Sequence, residues 1–159
     1  MGTEASSTDE WIELYNPKTT SIDLTNWKIA IAGDNAISLS GSIDPQGYYL
    51  LERTNDGVIS DVAADYAGSF GRYGLSDSGE HLTLTDASGA SIDDVDCSGG
   101  WFAGVKDKGS KASMERINPI LGGSTASNWA TNNGTVTLGH DALGGVIRGT
   151  PRASNSISQ

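Results

Sequence analysis

Apolar and polar residues alternate along this chain in short runs, and turn-forming residues separate the runs. In "EWIELY", Trp11, Glu13 and Tyr15 point one way and Ile12 and Leu14 the other, as in a strand. "NPKTTS" follows as a turn, with Asn16–Pro17 as the breaker. "SIDLTNWKIAIAG" is a long strand region in which Trp27, Ile29 and Ile31 share a face, and "GDN" at 33–35 closes it. "AISLSG" reads as a short partner strand. "IDPQG" reads as a turn in which Pro45 presets φ and Gly47 relieves it. "YYLLER" is apolar on both faces, which predicts an inner strand.

Residues 54–80 read as a long polar loop with little regular structure. "HLTLTDASGASIDDVDC" is the clearest hairpin: Leu82 and Leu84 alternate, "DASG" turns, and "ASIDDV" returns. Ile92 and Val95 are three apart and cannot share a face of a regular strand, so a bulge is expected near Asp93 or Asp94. "ASMERI" at 112–117 is one more strand, with Ser113, Glu115 and Ile117 opposite Met114 and Arg116. "SNWATNNGTVTL" carries a weaker strand signal, and the tail "GGVIRGTPRASNSISQ" reads as irregular. No long segment has helical apolar spacing, no heptads run, and no internal repeat is visible. About seven to nine short strands with frequent turns predict an all-β fold, an antiparallel β-sandwich. The sandwich is expected over residues 1–145 and the irregular tail over 146–159.

Composition narrows the function. A chain of 159 residues makes one domain or at most two, large enough to build a core without staples. The net charge of −10 argues against nucleic acid as a partner and against docking on anionic lipid. Cys97 is the one cysteine, so no disulfide forms within the chain, and the compartment stays open. No apolar run is long enough for membrane insertion. "MGTEASSTDE" has no basic and apolar leader pattern, so no signal peptide is visible in this chain. Gly2 and Ser6 meet the minimal myristoylation pattern, which is too short to carry weight alone.

Each candidate site has a plainer reading beside it. His81 opens a strand and His140 sits in "GHDA", and no nucleophile elbow accompanies either. Asp93, Asp94 and Asp96, with Asp77 and Glu80, are acidic enough for a cation, but the calcium-loop spacing is missing and alternate residues face opposite sides. Trp101 and Trp129 are candidates for a sugar-stacking platform or for packing; Trp11 and Trp27 read as core. Glu13 lies among apolar neighbours, and is expected to face outward or to be held by hydrogen bonds. Asn133-Gly134-Thr135 is a glycosylation sequon, but Asn-Gly is also a strong hairpin turn. Lys106, Lys108 and Lys111 are three charges in one loop. No catalytic, cofactor or metal residue is assigned.

Read together, "DEWIELYNP", "SIDLTNWKI", "GYYLLER", "LSDSGEHLTLTDASGASIDDVDC", "GWFAG", "SMERI", "SNWATNNGT" and "GTPRASNS" resemble the lamin tail domain in its bacterial form. The resemblance spans nearly the whole chain. It implies an immunoglobulin-like sandwich without the inter-sheet disulfide, in keeping with the lone cysteine. Similar bacterial sequences run a strand like "INEIAW" directly into this opening, so the chain reads as lacking that first strand. An open sheet edge, and a homodimer through it, are then expected. The family implies a noncatalytic module for protein or surface interaction, or targeting, within a larger bacterial secreted or cell-surface protein, and so an extracellular place and a protein or cell-surface ligand. An accessory carbohydrate-binding domain, a small hydrolase of polysaccharide or phosphodiester bonds, and a structural assembly protein are the alternatives.

Overall fold

The computed structural model describes residues 2–158. Met1, on which the reading of a missing first strand turns, and Gln159 lie outside the described residues. Strands run in the order β1 (Trp11–Tyr15), β2 (Ile22–Asp23), β3 (Lys28–Ile31), β4 (Ile37–Ser38), β5 (Ser42–Ile43), β6 (Tyr48–Arg53), β7 (Tyr66–Gly68), β8 (His81–Thr85), β9 (Ser91–Asp96), β10 (Met114–Arg116) and β11 (Trp129–Thr131). Three of these hold two residues each, leaving eight longer strands, within the expected range. The helical content described is one 3-10 turn at Ala126–Asn128.

One sheet has the order β1-β6-β7 and another β4-β3-β8-β9, with β10-β11 and β2-β5 as separate two-stranded pieces. β6 is an inner strand, as its two-sided apolar pattern predicts. Opposite it, Ile12 pairs with Leu51 and Leu14 with Tyr49, so four apolar side chains share the inward face. Across the sandwich, Leu24, Ile29, Ile31, Ile37, Leu39 and Ile43 complete this main core with Phe70. Trp27 packs against it, as its shared face with Ile29 implies. The outer face of β6 is covered as well. Leu50 joins Val58, Ile59 and Ile147 in a second cluster, on which Trp11 packs.

Three local expectations shift. The segment 54–80 contributes β7, which runs parallel to β6, and buries Val58, Ile59 and Phe70 completely. Its apolar residues are isolated among polar ones, so no period marks them. The bulge falls on Ile92: Leu84 pairs with Asp93 and Thr85 with Ser91, leaving Ile92 unpaired and half exposed. In the "IDPQG" turn the positive φ belongs to Gln46 (54°), while the Gly47 N–H closes the turn on the Asp44 carbonyl at 2.9 Å.

The C-terminal segment has little regular structure but many bonds. Pro151 is fully buried, and Ile147 and Thr150 nearly so. The Ser113 N–H donates to the Arg148 carbonyl at 2.8 Å, and the Arg152 N–H to Glu13 Oε2 at 2.6 Å. Residues 148–156 therefore tie β10 to β1 across the outer face.

Candidate functional site

A cleft of about 940 Å³ opens between β1 and β10. Its apolar lining comes from Ile12 and Leu14 on β1, Ile29 on β3, Leu82 and Leu84 on β8, and Met114 on β10. Most of these side chains are only half-buried, whereas Tyr49, Leu50, Leu51 and Phe70 around β6 are 3 %, 0 %, 0 % and 0 % exposed. The core is closed around β6 and open along β1.

Two strand edges face this cleft. β1 is the outer strand of its sheet. Its ladder has a fixed phase: Arg53 N–H donates to the Glu10 carbonyl at 2.9 Å and Asn16 N–H to the Gly47 carbonyl at 3.0 Å. Even-numbered residues of β1 thus bond to β6, and the backbone groups of Trp11, Glu13 and Tyr15 point away from it. Leu50, opposite Glu13, bonds instead to Asp65 on its far side, which agrees with that phase. By the same reasoning Ile117 N–H to Asn128 and Asn132 N–H to Ser113 fix the β10 ladder, so Met114 and Arg116 turn their backbone away from β11. Asn155 Nδ2 caps the Arg116 carbonyl at 2.9 Å. Among the described residues, nothing bonds to the backbone of Trp11, Glu13, Tyr15 or Met114 on the cleft side.

Two acids flank the opening on its outer face. Burial drives the Glu13 carboxyl up to about 8, the Arg152 N–H and charge oppose that rise, and Asp65 and Glu115 add to it. Glu13 is thus held by a hydrogen bond, the second of the two fates expected of it. Glu115 is 3 % exposed and accepts from Asn132 Nδ2 at 2.7 Å, the Ser156 N–H at 2.9 Å and the Ser156 hydroxyl at 2.7 Å.

The other candidates scatter. His81 Nε2 lies 2.7 Å from Asp94 Oδ1 and 3.5 Å from Thr83 Oγ1, so one ring nitrogen meets both partners. A nucleophile–base–acid relay needs both nitrogens, one for each partner. The Asp94 bond raises the His81 pKa, and the His81 bond lowers that of Asp94. His140 Nδ1 pairs with Asp61 at 2.7 Å. Asp93 binds Arg116 at 2.6 Å, while Asp96 accepts the Ser98 N–H at 3.0 Å. The aspartates diverge, and among the described residues no three His, Cys, Asp or Glu gather as a metal site. Trp101 Nε1 donates to the Ser76 carbonyl and Trp129 Nε1 to that of Gly123, and the Arg116 guanidinium covers the Trp129 ring at 4.8 Å. Both rings are half-buried and line the cleft. Asn133 serves as a turn residue: its Oδ1 accepts the Thr135 and Val136 N–H groups at 2.8 and 3.0 Å. Lys111 Nζ donates to the Thr3 carbonyl at 2.8 Å, and burial raises the Cys97 thiol.

Several structural polar residues escaped the sequence reading. Asn16 is fully buried, and its side chain bonds the carbonyls of Thr20, Ile43 and Asp44 and the Lys18 N–H. Glu52 is fully buried, accepting the N–H groups of Val58 at 2.9 Å and Ile59 at 3.1 Å. Glu10, 4 % exposed, takes the Leu75 N–H and pairs with Arg53 at 3.3 Å. For Glu52 alone the sequence held a signal, a charge inside the otherwise apolar run "YYLLER".

Stacked sheets with a cleft between strand edges define a β-sandwich module of the immunoglobulin-like class. The model of the Lamin Tail Domain family matches residues 1–99, well over half of the 159, and the chain belongs to that family. The match covers β1 to β9; β10, β11 and the tail follow it. No curated protein and no solved structure matches the chain.

Proposed function

We propose that this domain is an interaction module, binding a protein or cell-surface ligand within a larger bacterial secreted or cell-surface protein. The cleft between β1 and β10 is the observation that carries the reading, because a half-covered apolar surface beside unpaired backbone is a surface suited to a partner. The scatter of His81, His140 and the aspartates supports binding over hydrolysis. The extracellular, bacterial setting rests on the family resemblance; the acidic charge suits neither nucleic acid nor anionic lipid as a partner.

The test is saturable binding of the fluorescently labelled chain to intact bacterial cells. Binding should be competed by unlabelled chain and lost in Leu84→Asp, with folding checked by circular dichroism. Turnover of polysaccharide or phosphodiester reporters by the purified chain, with no such binding, would overturn the reading.

A further inference from the structure

We propose that the strap, residues 148–156, is a latch keyed by Arg152: from Thr150 onward it lifts as a unit when Glu13 is charged and leaves the two sheets standing. The proposal goes beyond the interaction reading above and does not rest on it.

The strap is held in two ways. At its start the hold is backbone: the Ser113 and Leu138 N–H groups donate to the Arg148 and Gly149 carbonyls, both at 2.8 Å. From Thr150 to Ser156, among the described residues, every bond to another segment has a side chain at one end or both. Carboxyl groups take most of these bonds. Glu13 accepts the Arg152 N–H and Asp65 the Arg152 guanidinium, each at 2.6 Å. Glu115 accepts the Thr150 hydroxyl at 3.2 Å, the Ser156 N–H at 2.9 Å and the Ser156 hydroxyl at 2.7 Å. β1, by contrast, pairs with β6 over five residues. When the contact between them fails, the strap is the side that yields.

Arg152 is the key because its backbone is held against its own preference. Its φ is 59°, the left-handed region in which a side chain crowds the following carbonyl. Such a conformation persists only where its surroundings fix it. Here the N–H, Nε and Nη2 of Arg152 are all engaged, by Glu13, by the Ala63 carbonyl at 3.0 Å and by Asp65. Weakening one of these contacts lets the strain act toward opening.

Charge sets when that happens. Glu13 faces Asp65 from the loop before β7, Glu115 on β10, Arg152 on the strap, and the Tyr48 phenol on β6 with Tyr15 beside it. Arg152 is the one cation among these groups, and Asp65 already shares it. Burial pushes the Glu13 carboxyl up to about 8, so the closed strap keeps it protonated. Lifting the strap returns it to water and toward its ordinary 4.5. The closed form is therefore favoured in full below 4.5, and that preference is lost as pH rises through 8. Between those values the opening constant grows by up to about tenfold per pH unit. Tyr48 is raised above 10 by burial and stays neutral across this range.

The test is residue-resolved amide exchange on the full chain from pH 5.5 to 8.5, expressed as protection relative to an unfolded peptide. The Arg152 and Ser156 amides should stay at least tenfold less protected than the β3–β8 ladder at every pH, and their protection should fall at least tenfold from pH 5.5 to 7.5. Glu13→Gln should flatten that fall. Arg152→Ala should lower strap protection at pH 5.5 at least tenfold while the ladder keeps its own. Strap protection equal to that of the ladder means that the strap opens only with the whole fold, and overturns the latch. So does a flat profile in the unaltered chain, an unchanged slope in Glu13→Gln, or an equal loss in strap and ladder in Arg152→Ala. Should Glu13→Gln not fold, the profile of the unaltered chain and Arg152→Ala decide. Binding to cells is measured separately, so either reading can fail without the other.

Discussion

The sheet flank around β6 and the flank along β1 are built from similar residues and end in different states. Leu50 and Leu51 sit on opposite faces of β6 and both are fully buried, because β6 has a neighbour on each side and a cluster on each face. Ile12 and Leu14 lie on the adjacent strand, with the same inward direction as Leu51, and stay half-buried because β1 has one neighbour. Hydrophobicity alone does not close a core. Position in the strand order does, since an edge leaves both backbone and side chains unpartnered.

The sharpest way to break this contrast is to truncate one residue on each flank. Leu51→Ala should cost about 3–5 kcal/mol in urea unfolding, the range for a fully buried leucine. Leu84→Ala on the open flank should cost roughly 1–2 kcal/mol, because less of its area leaves water on folding. Equal losses would mean that the two flanks are equally closed. Next in size is Glu52→Ala, which strands the Val58 and Ile59 N–H groups in the closed flank and should cost about 2–3 kcal/mol. A smaller loss would show that water reaches them.

The pH dependence sharpens the open flank. Glu13 has an ordinary value of 4.5 and rises to about 8 in the fold. The folded state therefore holds the extra proton between those values, and stability falls as pH rises from about 4.5 to about 8. Glu52 is raised by burial, and His81 is raised by its Asp94 bond above 6.5, so both push in the same direction. The aspartates with lowered values, such as Asp86 and Asp94, titrate below 3.8 and act outside this window. Glu13→Gln should flatten most of the fall in thermal midpoint between pH 5 and 8. His81→Asn should change its upper end least of all, since that pair is exposed. An unaltered slope in Glu13→Gln would place the carboxylate in open water.

The sequence carried the strands whose residues alternate. β1, β3, β6 and the β8–β9 hairpin were legible because side-chain period, turn chemistry and two-sided apolarity agree there. β7, Val58, Ile59 and Phe70 were not, because a single buried residue in a polar loop leaves no period to read. The bulge was legible to within a residue, since Ile92 and Val95 break the alternation. At the cleft, "EWIELY" was legible as a strand from its alternation. Its opposite wall was hidden, because β10 lies about a hundred residues later and the strap reaches it through irregular backbone. Asn16, Glu52 and Glu115 stayed hidden for another reason: their burial depends on amides supplied by distant loops.

Residue-resolved amide exchange on the free chain tests the central contrast most directly. The account predicts that Trp11, Glu13 and Tyr15 exchange at least tenfold faster than Ile12 and Leu14 on the same strand, whose N–H groups bond to β6. Equal protection of odd and even residues along β1 would contradict an open edge, and with it the cleft on which the functional reading stands.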